Sequence, residues 1–453
     1  MNQTSKWKVN QIDRDRFARA TISKLEQKEI FTPCFSPLIQ TQNEFDIYQN
    51  RVLSQQENEH LAVFLMRIFD ANKLLLPLIN LKNTATIDTK PVSGIYKDFL
   101  DKTIPIIDPA TEYLDFEFHY DKFVKLAETV RFPREVMNYL HLKNRKEKNC
   151  SGKEYKKWKN ANHKKFWYDL QKKPRQLNAL ITDYFDLESK FETKTLVPPV
   201  PFVENDILFD IAIQANDMGK ALAVDRGECA TYFLLSKSIL RDKQILDKIV
   251  EYMRKDQTTL TMLKFKNLKL WESECFAERE NFRDLMEAIA EIKRKNTTRL
   301  FMLLEASYHC FPAGSYGFDI VSSSMRLLDQ DSAYGENKGY GGYFYEEQLL
   351  NAKYDNLPEI MRNNHWMMPC SCRVCRGITY DKDEGILKFN GKKISIDEWS
   401  VLRREHNLFV MNGLMEMISR AIHDKQIELV RQKISNSEVS NLKTLIPQHY
   451  ILD

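Results

Sequence analysis

No apolar run in this chain is long enough to span a bilayer, and it has no internal repeat and no low-complexity linker. Glycine is scarce, 14 in 453 residues, about half the usual share. Eight cysteines, three of them crowded into one short motif, are a poor disulfide framework and fit a reducing compartment. Residues 1–28 are polar and charged throughout, which is unlike a secretory signal. The expectation is a cytoplasmic chain without a membrane segment. The formal net charge is only +4, so any nucleic-acid footprint has to come from local clustering.

What is present is core and alternation. An apolar fraction of 43% suffices for a large interior, and a chain longer than one average domain can still fold as a single barrel. Short apolar runs read as strands at 30–35, 104–107, 195–202, 207–213, 231–235, 260–265, 300–304 and 318–321. Amphipathic stretches between them read as helices at 58–72, 121–140, 236–255 and 277–295. Alternation with so few glycines argues for a mixed α/β fold with a parallel sheet.

Basic residues do cluster, from Lys143 to Arg175. Lys156, Lys157, Lys164 and Lys165 interleave there with Trp158, Phe166, Trp167 and Tyr168. Phosphate-neutralising charge beside flat rings suits a surface that tracks a nucleic-acid backbone and stacks on bases. The same spacing also suits a solvated helical hairpin whose rings pack on the body.

The densest pattern lies near the end of the chain. Cys370, Cys372 and Cys375 fall within six residues and are answered by His406. Three thiols and one imidazole match a closed tetrahedral zinc shell, with no position left for a reactive water. Residues 377–393 between the two halves read as a hairpin. Met411, Leu414, Met415, Ile418, Ala421 and Ile422 follow at helical spacing, which puts His406 in the first turn of a helix.

Cys-x-Cys-x-x-Cys followed by His406-Asn407-Leu408 and this helix resembles the zinc subdomain of the tRNA-guanine transglycosylases. Tyr316-Gly317-Phe318-Asp319-Ile320-Val321 resembles that family's G-x-D-x-F-D-C segment, whose last aspartate is the catalytic nucleophile. Asn337-Lys338-Gly339-Tyr340-Gly341-Gly342 is similar to its glycine-rich loop, and Phe31-Thr32-Pro33-Cys34-Phe35-Ser36-Pro37 to its opening strand. The resemblance is dense from 316 to 424 and thin elsewhere.

It implies a (β/α)8 barrel with an appended structural Zn2+ site. The divisions are a first barrel part at 1–140, a basic helical insertion at 141–190, the remaining barrel at 191–345, and a zinc subdomain with a helix at 346–453. It also implies guanine exchange for a 7-deazaguanine base through a covalent glycosyl-aspartate, with Asp319 as nucleophile and Asp108 as the second acid. Both, with Glu305, should stand at the C-terminal ends of strands. Glu305, Lys264, Gly341 and Gly342 are the expected substrate-binding residues.

The glycines that flank the family's second aspartate are replaced by Pro109-Ala110-Thr111-Glu112. A glycine-rich strand end is replaced by Leu303-Leu304-Glu305-Ala306. These departures bring the chain nearer to DNA-guanine transglycosylases of DNA-modification or antiphage gene clusters. The tRNA enzyme proper is an alternative substrate reading. A catalytically silent paralogue that binds nucleic acid or protein is the alternative of another class. The expected partners are DNA or tRNA and a deazaguanine base, with room for an operon-encoded protein and a homodimer.

Overall fold

The computed structural model describes residues 7–15, 18–25, 27–54, 59–84, 98–114, 120–130, 165–266, 276–306, 310–325, 343–345, 350–352 and 357–436. An antiparallel sheet opens it: β1 (Lys8–Arg14), β2 (Arg19–Leu25) and β3 (Lys28–Phe31). Then come β4 (Cys34–Leu38), β5 (Val63–Arg67), β6 (Ile104–Asp108), the short β7 (Thr195–Leu196), β8 (Phe202–Val203) and β9 (Glu228–Cys229). The longer β10 (Thr231–Ser236), β11 (Leu260–Lys266), β12 (Leu300–Leu304) and β13 (Ile320–Ser324) follow. Among the described residues β7 pairs only with β9; the other eight form one parallel sheet in the order β6-β5-β4-β13-β12-β11-β10-β8.

That order is cyclic in the chain, because the first strand of the sheet, β4, pairs with the last, β13. Among the described residues no backbone ladder joins β6 to β8. The Thr193 hydroxyl, just before β7, donates to the Pro105 carbonyl of β6 at 3.1 Å. The sheet is strongly curled. Five strand steps separate β6 from β11, roughly 24 Å if laid flat, yet Lys264 of β11 reaches Asp108 of β6 at 2.6 Å. The structure is thus a mixed α/β fold around an eight-stranded parallel half-barrel.

Buried strands of this kind are apolar on both faces, and β5, β10, β11 and β12 are buried along almost their whole lengths. The outer helices show one apolar stripe each. In the helix Lys243–Lys255, Ile245, Leu246, Ile249, Val250 and Met253 are buried, and Asp242 caps its start by accepting from Ile245 N. Two expected elements change type. Residues 207–213 lie in a helix, Asp206–Ala223, started by the Asn205 side chain accepting from Leu208 N at 3.0 Å. The expected helix at 58–72 contains β5 instead, and the helix Ile68–Thr84 begins only where the strand ends. Prolines 198, 199 and 201 interrupt the expected strand at 195–202, leaving the two-residue β7 and β8.

After β14 (Tyr343–Tyr345) and β15 (Leu350–Ala352), the hairpin expected at 377–393 forms from β16 (Ile378–Asp381), β17 (Ile386–Phe389) and β18 (Lys392–Lys393). It belongs to a second, smaller core around Leu357, Met361, Trp399 and Leu402. The helix Ile396–His423 ties the two cores together. Its early Trp399 packs in the small core, while Met411, Leu414, Met415 and Ile418 pack in the large one. Among the described residues, no helix is long and apolar enough to cross a membrane.

Candidate active site and metal centre

The C-terminal edge of the curled sheet carries the densest buried charge. Asp108 ends β6, Arg67 ends β5, Lys264 lies on β11, and Glu305 follows directly after β12. Register pairs Arg67 with Asp108 and Lys264 with Leu304, so all four stand at one end of the sheet. Lys264 Nζ donates to Asp108 Oδ2 at 2.6 Å and to Glu112 Oε1 at 2.7 Å. It is also 2.6 Å from Glu305 Oε1. Arg67 donates to both oxygens of Glu305 at 3.1 and 3.2 Å. Asp108 accepts further bonds from Tyr232 OH at 3.2 Å and Ala110 N at 3.0 Å.

All of these side chains are buried, and buried charges persist only when paired. Among the described residues three carboxylates meet Lys264 and Arg67, and Glu112 is the least compensated. Glu112 Oε2 is buried without a hydrogen-bond partner. Burial pushes the Glu112 carboxyl above its usual range, and Lys264 only partly opposes it. Burial would raise Glu305 too, but Arg67 and Lys264 overturn that and hold it at about 2. Two acids of one cluster are thus driven apart, one towards the protonated form and one held ionised. The backbone is strained on both sides: Ala110 and Glu305 take φ of 57° and 51°, a region that non-glycine residues enter rarely and mostly at functional positions.

Asp319 is elsewhere, which corrects its expected place. It immediately precedes β13, at the strand's N-terminal side. Its Oδ2 accepts from Phe301 N at 2.8 Å, and its Oδ1 from Lys293 Nζ at 2.8 Å. Phe301 lies four residues before Glu305, roughly 13 Å of strand. Asp108 and Asp319 therefore do not face one another. Gly317, at φ 109°, ends the helix Cys310–Tyr316 in the left-handed conformation glycine supplies after helices. Matched glycine to glycine, the family segment puts its first aspartate on Asp319 and its last on Ser322. Ser322 lies within β13, paired with Ser36 of β4, and its buried hydroxyl has no partner.

No protein-family model matches this chain, and no curated protein does. The chemistry is read from the residues themselves. Asp108, Lys264 and Glu305, singled out from sequence, do meet; Gly341 and Gly342 lie outside the described residues. Glu112 and Arg67 went unnoticed. Arg67 was hidden in an expected helix, and Glu112 was seen only as part of a replaced motif.

Of the basic insertion, Lys156, Lys157, Trp158 and Lys164 also lie outside the described residues, and Lys165 only opens the helix Lys165–Gln171. Trp167 on that helix is fully buried in the main core, with Phe166 packed beside it. These two rings follow the packing alternative, not base stacking.

The second polar centre is sulfur-based. Cys370, Cys372, Cys375 and His406 place one ligand atom each within 4.8 Å of all the others. His406 Nδ1 lies 3.5 Å from Cys372 Sγ and 3.3 Å from Cys375 Sγ. A tetrahedral zinc shell has ligand–ligand edges of roughly 3.5–3.8 Å, so the four residues can hold a metal ion and fit zinc. Cys372 also caps the short helix Arg373–Gly377, its sulfur facing Cys375 N at 3.4 Å. His406 is not in a first turn as expected. Its helix starts ten residues earlier, at Ile396, where Ser395 accepts from Glu398 N at 3.2 Å. That Ser-x-x-Glu start is a helix N-terminus signature.

Proposed function

We propose that this protein is a guanine-transglycosylase-like pentosyltransferase of nucleic acid, built on a (β/α)8-type barrel with a structural zinc subdomain and working in the cytoplasm. The observation that carries the reading is the meeting of Glu305, Glu112 and Asp108 around Lys264 at the C-terminal strand edge, where burial pushes Glu112 up while Arg67 and Lys264 hold Glu305 down. Exchange at a glycosidic carbon needs an ionised nucleophile and a proton donor on the leaving group. The carboxylate oxygens lie within 4.8 Å, too close to seat an attacking water and suited to double displacement.

Glu305 forms the bond to C1′ as guanine departs with the bonding pair, and Glu112 supplies the proton that guanine takes. An incoming 7-deazaguanine returns a proton to Glu112, attacks C1′ and frees Glu305. Lys264 and Arg67 keep Glu305 ionised beforehand, and Asp108 fixes Lys264. Cys370, Cys372, Cys375 and His406 would hold a zinc ion that cross-links the small core and leaves no open position for chemistry.

The test is guanine release from labelled DNA and labelled tRNA, offered separately with a deazaguanine acceptor. Wild type should exchange one of them, Glu305→Gln should lose at least ~10³-fold, and Glu112→Gln, which removes the proton donor, about 10²–10⁴-fold. Exchange by Glu305→Gln at the wild-type rate would remove Glu305 as the nucleophile.

A second reading, a catalytically silent nucleic-acid-binding relative, is favoured by Ser322 at the place of the motif's last aspartate. Binding of nucleic acid with no exchange by wild type would select it.

A further inference from the structure

The cluster at the C-terminal edge also has the form of a metal shell. Asp108 closes β6, Glu112 lies in the turn Thr111–Tyr113, and Glu305 follows β12. Three separate stretches of chain thus each send one carboxylate to the same point, and one oxygen from each lies within 4.8 Å of the other two. Lys264, from a fourth element, places its Nζ at that point. It is 2.6 Å from Asp108 Oδ2, 2.7 Å from Glu112 Oε1 and 2.6 Å from Glu305 Oε1.

An ordinary buried ion pair sets one ammonium against one acid. Here one ammonium touches three. Glu112 is only 4% exposed, and its other oxygen, Oε2, is buried without a hydrogen-bond partner. Arg67 adds a second cation, donating to Glu305. A singly charged group therefore fills a seat whose oxygens suit a doubly charged ion.

The donors are hard oxygens, and their distances choose among hard cations. Calcium takes carboxylate oxygens at roughly 2.3–2.6 Å in irregular shells, whereas magnesium needs about 2.0–2.1 Å and a near-ideal octahedron. The contacts around Lys264 Nζ are close to the calcium range. A calcium ion would fit there with little movement of any carboxylate. Magnesium would have to draw inwards three groups held by different parts of the fold.

We infer that Asp108, Glu112 and Glu305 form a divalent-cation seat that this chain fills with its own ammonium, Lys264 being a tethered stand-in for a metal ion. The occupied seat needs no free divalent cation, and vacating it converts the cluster into a calcium site. The inference does not depend on the transglycosylase reading, because its test is binding alone.

That test is calorimetric titration of the whole zinc-loaded protein, free of chelators, with Ca2+ and with Mg2+, alongside thermal melting. Wild type should show no saturable Ca2+ uptake and the same melting temperature with and without the ion. Lys264→Ala removes the charge and opens the seat; it should bind one Ca2+ per chain, at least ~10-fold tighter than Mg2+. Lys264→Met removes the same charge but keeps the seat filled, and should bind none. Adding Glu112→Gln to Lys264→Ala should weaken Ca2+ binding at least ~10-fold.

Three buried carboxylates left without their ammonium destabilise the ion-free variant, so Lys264→Ala is also refolded with Ca2+ present. Recovery that requires the ion supports the seat. A Lys264→Ala protein that binds no Ca2+, or that folds neither with the ion nor without it, would overturn the inference. So would equal binding by Lys264→Met, binding unchanged by Glu112→Gln, or Ca2+ uptake by wild type that Glu112→Gln abolishes.

Discussion

Two buried lysine–carboxylate clusters sit at opposite ends of the same curled sheet. At the N-terminal edge, Lys293 faces one acid, Asp319, and both carboxylate oxygens are engaged. Lys293 also donates to the Gly317 carbonyl, and the Asp319 carbonyl accepts from Cys34 N at 2.8 Å. Buried Arg19 stands beside them, donating to the Lys293 carbonyl, and the pair knots β13 to β12, to β4 and to the helix Phe276–Lys295. At the C-terminal edge three acids share Lys264 and Arg67, one oxygen is left over, and two residues take strained backbone. Burial and ion pairing are common to both. An excess of acid and strained backbone set the C-terminal cluster apart from the other.

The metal centre extends this comparison to the largest expected effect. With a metal ion bound, Cys370, Cys372, Cys375 and His406 would be an anchor too, chiefly for the small core. Cys372→Ser, or chelation, should unfold residues around Trp399 and Leu402 while the large core persists, because structural zinc is worth on the order of 10 kcal/mol. Hydrogen exchange would show protection lost in 357–402 and kept in β10 to β12. Uniform loss across both cores would mean that they are not separate units.

Next in size is Asp319→Asn. An anchor with no spare acid leaves Lys293 charged, buried and unpaired, which costs about 3–5 kcal/mol. Denaturant unfolding measures it. Glu305→Gln should also destabilise, by up to about 3 kcal/mol, because Arg67 donates to both oxygens of a carboxylate held well below its usual range. If Asp319→Asn is as stable as wild type but stops base exchange, Asp319 is catalytic after all and the distinction between the two clusters collapses.

How far sequence foretold these clusters follows from what a pattern can carry. The buried strands β10, β11 and β12 announce themselves as short apolar runs, and Cys370 to His406 announces a metal site by ligand type and spacing. Asp108 and Glu305 were legible as acids at strand ends, and Lys264 only through the resemblance. Arg67 was not, because Phe64-Leu-Met66 runs on into Ile68 and Phe69 and the whole window reads as one helix. The helix Asp206–Ala223 was misread for the opposite reason: Ile207 to Ile213 is locally strand-like, and only the Asn205 cap marks a helix start. Asp319 was expected at a strand's C-terminal end, but the strand beside it, β13, begins only at Ile320, so it stands at the other end. Partners such as Lys264 and Glu112 lie 152 positions apart, and no local pattern joins them.

The smallest effect, and the one most specific to the contrast, is acid sensitivity. Glu305 is held at about 2 by Arg67 and Lys264 against its burial, whereas a free glutamate titrates near ~4.3. Between those values the unfolded chain binds the proton that the native protein refuses. Stability from this group is therefore complete above about pH 4.3 and is lost as pH falls through about 2. One proton corresponds to a slope of up to about 1.4 kcal/mol per pH unit in that window. Glu112, raised by burial, has the opposite sign and acts above that window, where the native state retains a proton that the unfolded chain has lost. Urea midpoints at pH 3 and pH 5 should thus differ less in Glu305→Gln than in wild type. An identical difference in the two proteins would show that the cluster does not hold Glu305 ionised, and the acid–base division on which the proposed chemistry stands would go with it.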